Sequence, residues 1–376
     1  MAAAGKFSLA AALAGTAPGM PMPAWPRSAH TGRSWLYAHR MVRFTVLASG
    51  SKGNCTVVSG GRTRILVDAG LSCRELFRRM KLAGEAPETL DAIVITHEHQ
   101  DHINGLAVTA RKLGIPVYFT EATHRAWMRL LTPQRQMTYA QWLEQRRLQT
   151  ATRETEAEAA TVECKPDEAG VAAAQTASSE PVSPAMAQIA AEAAAESAAE
   201  VPGRNDDPAW LPAVEYFQAG QPFEIGDIAL SPFTTSHDAA DPVGFVLQAE
   251  GVRMAVATDL GYISPNVRGQ LKGLDLLLLE SNHDLEMLRD GPYPWAVKQR
   301  VLSRVGHLSN EAAADFLENG YDGQAAYIIL AHLSESNNLP ELARVTAERA
   351  LNGRASLLAN RLLLAAQHEP LSPILF

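Results

Sequence analysis

Thr96-His97-Glu98-His99-Gln100-Asp101-His102 packs three imidazoles and two carboxylates into the residues that follow Thr96. It comes directly after Leu90-Asp91-Ala92-Ile93-Val94-Ile95, an apolar run of strand length that reads as a buried strand. A strand that delivers a dense set of nitrogen and oxygen donors at its end makes a metal site on a rigid scaffold. His97 and His99 alternate on an extended segment and so project to one side. Asp101 and His102 continue round the turn and can face a second ion. A helix is expected after them, from about Asn104 to Leu113.

The remaining donors fall in a matching pattern. His237 follows a strand expected over Ile228 to Thr235, Asp259 one over Arg253 to Thr258, and His332 one over Ala325 to Ala331. Together with His97, His99, Asp101 and His102 they make seven groups. That exceeds what one tetrahedral zinc needs and suits two divalent ions sharing a carboxylate. No cysteine is among the donors, so Zn²⁺ and Mn²⁺ both fit. Further strands are expected at Phe44 to Leu47, Pro116 to Phe119 and Leu274 to Glu280. Hairpins are expected at Cys55 to Ser59 with Arg64 to Val67 and at Val243 to Ala249 with Arg253 to Thr258. Ser72 caps a helix through Leu82, and helices follow over Pro294 to Arg304, from Ser309 or Asn310 through Glu318, and over Leu339 to Leu351. Two runs of antiparallel strands, each trailed by helices, imply an α/β molecule with a sheet-on-sheet core and helices outside.

Thr96 to His102 resembles the HxHxDH signature of the metallo-β-lactamase fold, an αββα four-layer sandwich. Five other segments narrow the resemblance to the YycJ/WalJ-type branch. They are Ala48-Ser49-Gly50-Ser51-Lys52-Gly53-Asn54-Cys55, Ser236-His237-Asp238-Ala239-Ala240-Asp241-Pro242-Val243-Gly244-Phe245, Glu280-Ser281-Asn282-His283-Asp284-Leu285-Glu286-Met287-Leu288, Gly306-His307-Leu308-Ser309-Asn310 and Ala331-His332-Leu333-Ser334-Glu335-Ser336-Asn337-Asn338. The resemblance covers roughly Val42 to Gly114 and Val214 to Pro373. It implies a metal-dependent nuclease acting 5′-to-3′ on DNA ends. It also implies that His97, His99 and His237 hold one ion and Asp101, His102 and His332 the other, with Asp259 bridging. Two such ions can share a hydroxide aimed in line at phosphorus, with Asp101 among the catalytic residues.

His307 resembles a histidine that lies near the scissile phosphate in related RNA-processing nucleases without being a ligand. An imidazolium there binds phosphate or protonates the leaving oxygen; the plainer role is helix entry beside Ser309. Asn282 and His283 are candidate substrate groups or supports for the ligands, against local turn bonding. Ser51 and Asn54 belong to a Gly-flanked loop that either cradles a phosphate through its amides or forms an ordinary β-turn. Asp68 either hydrogen-bonds the ligand histidines or caps the turn at Gly70. His124 and His368 stand outside any constellation.

Residues 151–200 hold 10 acidic and 2 basic residues, 18 alanines and no aromatic. That composition cannot bury a core, so 150–208 reads as a disordered acidic insertion between two halves of one domain, 42–149 and 209–376. The chain's net charge of −8 resides there, because 31 basic and 31 acidic residues remain outside it. A polyanionic substrate is therefore not excluded. Between 111 and 149, Arg111, Lys112, Arg125, Arg129, Arg135, Arg146 and Arg147 alternate with Trp127, Tyr139 and Trp142. This suits a nucleic-acid track, though two amphipathic helices with solvated faces is the plainer reading.

The first 41 residues read as a disordered extension, with Met41 as a candidate start. Lys6 and the short apolar run after it form only a loose secretory pattern. Cys55, Cys73 and Cys164 are odd in number and lack zinc-finger spacing, which fits reduced thiols in a cytoplasmic protein. No apolar run reaches the roughly 20 residues of a membrane span, so no membrane partner is expected. Two other functions fit the same residues. One is a hydrolase of this fold acting on RNA, a cyclic phosphodiester or a thioester; the other is a non-catalytic metal-binding regulator.

Overall fold

The hairpin expected at Cys55 to Val67 is the seed of the first of two sheets. The computed structural model describes residues 41–132, 207–351 and 361–376. Strands β1 (Arg43–Ala48), β2 (Cys55–Ser59) and β3 (Arg64–Val67) pair antiparallel in turn. The strands β4 (Ala92–Val94), β5 (Pro116–Phe119) and β6 (Ala213–Tyr216) then add parallel to β3. The second sheet repeats this plan. Strands β7 (Phe223–Ile225), β8 (Ile228–Thr234), β9 (Val243–Ala249) and β10 (Val252–Ala257) are antiparallel, and β11 (Leu276–Glu280), β12 (Tyr327–Ala331) and β13 (Arg361–Leu364) are parallel. A last strand, β14 (Ile374–Leu375), closes the free edge of β1. Both sheets are therefore mixed, where two antiparallel runs were expected.

Each central strand is buried on both faces, and the side chains sort by parity. Ile65, Val67, Ala92, Val94, Met254, Val256, Leu276, Leu278 and Ile329 point between the sheets and fuse them. Leu66, Ile93 and Val117 point outward onto Leu76 and Met80 of α1 (Cys73–Leu82), Leu106 and Ala110 of α3 (Leu106–Leu113) and Trp127 of α4 (Glu121–Leu131). On the other side Ala255, Leu277, Leu279 and Ile328 meet Val267 of α5 (Pro265–Gln270), Phe316 of α8 (Asn310–Asn319) and Ala343 and Ala347 of α9 (Pro340–Leu351). The result is the four-layer αββα sandwich expected from the motif. Burying each such Leu, Ile or Phe contributes about 1.5–3 kcal/mol.

Several elements differ from the sequence reading. The helix expected at Asn104 is two: a single turn α2 (Gln100–Ile103), then α3 after Gly105. Asp101 and His102 thus stand on a helical turn rather than a loop. Strands β7, β13 and β14 and helices α5 and α6 (Leu285–Asp290) were not anticipated, being shorter than a periodicity window resolves. Of the expected 1–41 extension and 150–208 insertion, only Met41, Asp207 and Pro208 lie within the described residues. Of the basic track, 133–149 lies outside them, and Trp127 is a core residue at 1% exposure. Among the described residues no helix is long and apolar enough to cross a membrane.

Candidate metal centre

Parallel strands put their carboxyl ends along one edge, and the loops leaving those ends converge. His97 to His102 leave β4, Asp68 leaves β3, Asp259 leaves β10, His332 leaves β12, and His237 leaves β8. The motif is stitched to both sheets by backbone hydrogen bonds. Val243 N donates to Thr96 O (3.1 Å), Asn54 N to Asp101 O (2.7 Å) and Ala69 N to His102 O (2.8 Å). The α2 turn lies so close to the β3 exit that a Cβ on Gly70 would sit 1.7 Å from Asp101 O. Asp68, Asp259 and His332 adopt left-handed backbone, with φ of 60°, 58° and 56°. For non-glycine residues that conformation costs on the order of 1–2 kcal/mol each, and it turns each side chain inward at its strand end.

The donors form two triads. His97, His99 and His237 have nitrogens within 4.8 Å of one another, as do the ligand atoms of Asp101, His102 and His332. Asp259 lies between the triads: its Oδ2 is 3.3 Å from His102 Nε2, and its Oδ1 is 3.4 Å from His332 Nδ1 and 3.8 Å from His237 Nε2. His237 Nε2 and His99 Nδ1 face each other at 3.1 Å.

One nitrogen of most rings is tied back to the protein. Thr96 Oγ1 lies 3.0 Å from His97 Nδ1, Asp68 Oδ2 2.8 Å from His102 Nδ1, and Gly306 O 3.0 Å from His237 Nδ1. Glu280 Oε1 lies 2.8 Å from His332 Nδ1. Such bonds fix the ring and leave Nε2 as the ligand atom. His97 Nε2 and Asp259 Oδ2 are buried without a hydrogen-bond partner. An unpaired buried polar atom is costly, and two of them inside a cage of hard and borderline donors fit divalent cations.

The electrostatics divide the triads. Burial pushes His97 and His99 well toward the neutral form, reinforced by His102 beside His97 and by His237 beside His99. Burial works against charge on Asp101 and Asp259 too, yet the neighbouring imidazoles of His102 and His332 hold both carboxyls far below the usual range. His102 and His332 are in turn raised well above the ordinary histidine value despite burial, by Asp259 foremost. The second triad therefore calls strongly for positive charge.

The sequence reading did not single out Glu280 on its own. Its buried carboxylate accepts from Leu260 N at 2.9 Å and Leu308 N at 3.2 Å, and lies 2.8 Å from Nδ1 of both His307 and His332. Burial opposes its ionisation, but His307 and His332 bring its pKa down to about 2. Ionised, Glu280 can only accept, so both histidines donate through Nδ1. An acid closing the apolar run Leu276 to Leu279 was the available signal. Asp238 was likewise missed; its Oδ1 is 3.6 Å from His237 Nε2, and it pairs with Arg300.

An open cleft of about 370 Å³ lies over the donors, lined by Ser51, Lys52, His99, Asp101, Asp259, Asn282, His307, His332 and Asn337, among others. Of the candidate substrate residues, Ser51, Asn282 and His307 thus border it. Asn54 does not: it is buried, and its Nδ2 lies 3.0 Å from Asp101 Oδ2 and 3.0 Å from His102 Nε2. His283 is fully buried, with burial lowering its pKa to about 4. Neither residue is among those that line the cleft. Asn282 Nδ2 donates to His332 O at 2.8 Å. His124 packs against both Phe119 and Trp127, and His368 is exposed.

A cage of histidines and aspartates at the strand ends of an αββα sandwich defines a class of metal-binding hydrolytic proteins. Two family descriptions match the chain, "Metallo-beta-lactamase superfamily" over residues 48–168 and "Beta-lactamase superfamily domain" over residues 182–332. The chain is 32% identical over 310 residues to exodeoxyribonuclease YycJ of Bacillus anthracis, covering 82% of this chain and 89% of that one. It is 31% identical over 304 residues to exodeoxyribonuclease WalJ of Streptococcus pneumoniae serotype 2, covering 81% and 86%. The crystal structure of the metallo-β-lactamase fold protein YhfI from Bacillus subtilis superposes with a TM-score of 0.50 at 15% identity, covering 88% of this chain and 99% of that one. The chain belongs to the metallo-β-lactamase superfamily, in its YycJ/WalJ exonuclease branch.

Proposed function

We propose that the chain is a two-cation phosphodiester hydrolase that degrades DNA from its ends in the 5′-to-3′ direction. The observation that carries the reading is the pair of donor triads joined by Asp259 beneath the open cleft. The names of the relatives support DNA as substrate, and the polarity is taken from the resemblance of the six sequence segments to that branch. His97, His99 and His237 would hold one cation and Asp101, His102 and His332 the other, with Asp259 between them. When bound, two such cations supply Lewis acidity toward water and toward phosphoryl oxygens.

The chain's own residues do the rest. Thr96, Asp68, Glu280 and the Gly306 carbonyl lock four imidazoles, so the donor set costs no reorganisation when it is used. Asn54 fixes the Asp101 carboxylate from behind. His307, held at Nδ1 by Glu280, presents its other nitrogen toward the cleft. There it grips a phosphoryl oxygen or gives a proton to the leaving 3′ oxygen. Ser51, Lys52 and Asn282 line the cleft where the phosphate neighbouring the cleaved bond would lie. The domain is read as one unit in two sequence halves, and the 150–208 insertion is assigned no part in the chemistry.

The test is to incubate the metal-loaded protein with end-labelled single- and double-stranded DNA, RNA and a thioester, beside Asp101→Ala. Mononucleotides released from DNA 5′ ends and absent with the variant are the expected result. Hydrolysis of RNA or the thioester alone would move the chain to another branch, and equal background in both proteins would end the enzymatic reading.

A further inference from the structure

We propose that α7 (Trp295–Val301) and the chain flanking it dock the nucleic-acid strand that leads out of the cleft, with Trp295 as a stacking platform for a base. This rests on the nuclease reading for the identity of its ligand. Helix α7 has no buried residue, so core burial does not explain its apolar side chains. Trp295 is 67% exposed and Leu302 49% exposed. With Gln299 they fall at i, i+4 and i+7, on one face of the helix. The segment's other side belongs to the cleft, which Tyr293, Arg300 and Val301 line. A strand leaving the donor cage on this side crosses α7.

The charge matches such a ligand. Residues 289–307 hold four basic residues and one acidic residue. Arg289 pairs with Asp290 and Arg300 with Asp238, in pairs whose arginines are mostly exposed. Exposed pairs of this kind are weak, and a phosphate can replace the carboxylate. The helix is also tied to the cage: Gly306 O holds His237 Nδ1 at 3.0 Å, and His307 N donates to Val301 O at 3.0 Å. A Cβ on Gly306 would come within 2.2 Å of Val301 O, so this close approach requires glycine. A base stacked on Trp295 is thereby kept in fixed register with His237 and His307. Cations with an exposed aromatic ring are what a sequence-tolerant single-strand site needs.

The experiment measures anisotropy of a fluorescent single-stranded DNA oligonucleotide with phosphorothioate linkages, bound to the metal-loaded protein. Trp295→Ala should raise Kd about tenfold, Trp295→Phe should restore most of it, and Lys298→Ala should flatten the salt dependence by about one phosphate. Hydrolysis of bis(p-nitrophenyl) phosphate, too small to extend from the cleft to Trp295, reports whether the cage is intact. The loss in kcat/KM for the oligonucleotide should exceed any loss for this ester by about tenfold. Equal losses for both substrates, or an unchanged Kd, would overturn the proposal. So would a Trp295→Ala protein that sediments as a smaller species than the wild type with DNA affinity retained. If the wild-type protein leaves ordinary DNA uncut while Trp295→Ala still raises Kd for the oligonucleotide, the nuclease reading falls and the docking surface stands. If it degrades DNA and Trp295→Ala matches it in Kd and KM, the docking surface falls alone.

Discussion

Glu280 is the residue on which the two functions of the cage meet. One carboxylate orients His332 inside the donor set and His307 at the cleft, at 2.8 Å from each. Glu280→Gln keeps the shape but replaces one acceptor oxygen with a donor, so it can no longer receive both the two Nδ1–H groups that meet Oε1 and the Leu260 and Leu308 N–H groups that meet Oε2. Metal affinity at the Asp101, His102 and His332 position should fall about 10- to 100-fold, the usual effect of losing a group that orients a ligand. His307→Ala should separate the roles: metal content stays at the wild-type level while kcat falls about 10²- to 10⁴-fold. Metal analysis and steady-state kinetics on the two variants check this. Full metal occupancy in Glu280→Gln with wild-type kcat would show that Glu280 is only a structural anchor.

At the level of elements, the site depends on how closely the β3 exit and the α2 turn approach. Gly70 leaves no room for a side chain, since a Cβ would meet Asp101 O at 1.7 Å and Asn54 N at 2.6 Å. Gly70→Ala forces the α2 turn outward and carries Asp101 and His102 with it. The expected cost is about 3 kcal/mol in urea unfolding, together with loss of the cation proposed at Asp101 and His102. Retained stability with retained metal would show that the contact can relax. This contact also marks where sequence reading stops. His97 to His102 were legible because ligand types at fixed spacing follow an apolar run, and His237, Asp259 and His332 because each follows another such run. The parallel pairing of β3 with β4 and of β10 with β11 was not, because a strand buried on both faces shows no alternation from which to infer its partners. The sequence left Asn54 and His283 open between a role toward substrate and a structural one for a related reason. Polarity in a loop does not tell whether the side chain faces solvent or lies behind a ligand, as Asn54 does against Asp101.

Across the whole molecule, the cage draws on both sheets, so cation binding and stability are linked and both depend on pH. In the metal-free protein the raised pKa values of His102 and His332 mean that their charge stabilises the fold fully below the unfolded histidine value. That contribution is lost as pH climbs through the raised values. Asp101 and Asp259, depressed in the fold, stabilise it above the ordinary carboxylate range and stop doing so as pH falls through their lowered values. A cation binds only neutral imidazole, so one held as proposed by His102 and His332 must expel their protons. Loading should therefore strengthen as pH rises from about 6 to about 8, by up to about 100-fold per pH unit if both protons leave. The metal-free protein should lose stability over the same span through those two histidines. Zn²⁺ at 100 times its Kd should stabilise by about 2.7 kcal/mol, and EDTA should remove that gain. Thermal unfolding with and without Zn²⁺ at several pH values reads both limbs. Calorimetric titration in buffers of different ionisation enthalpy counts the protons released. A stabilisation by metal that stays flat with pH, with no proton release, would mean that His102 and His332 are not ligands and that the donor triads do not bind metal as a pair.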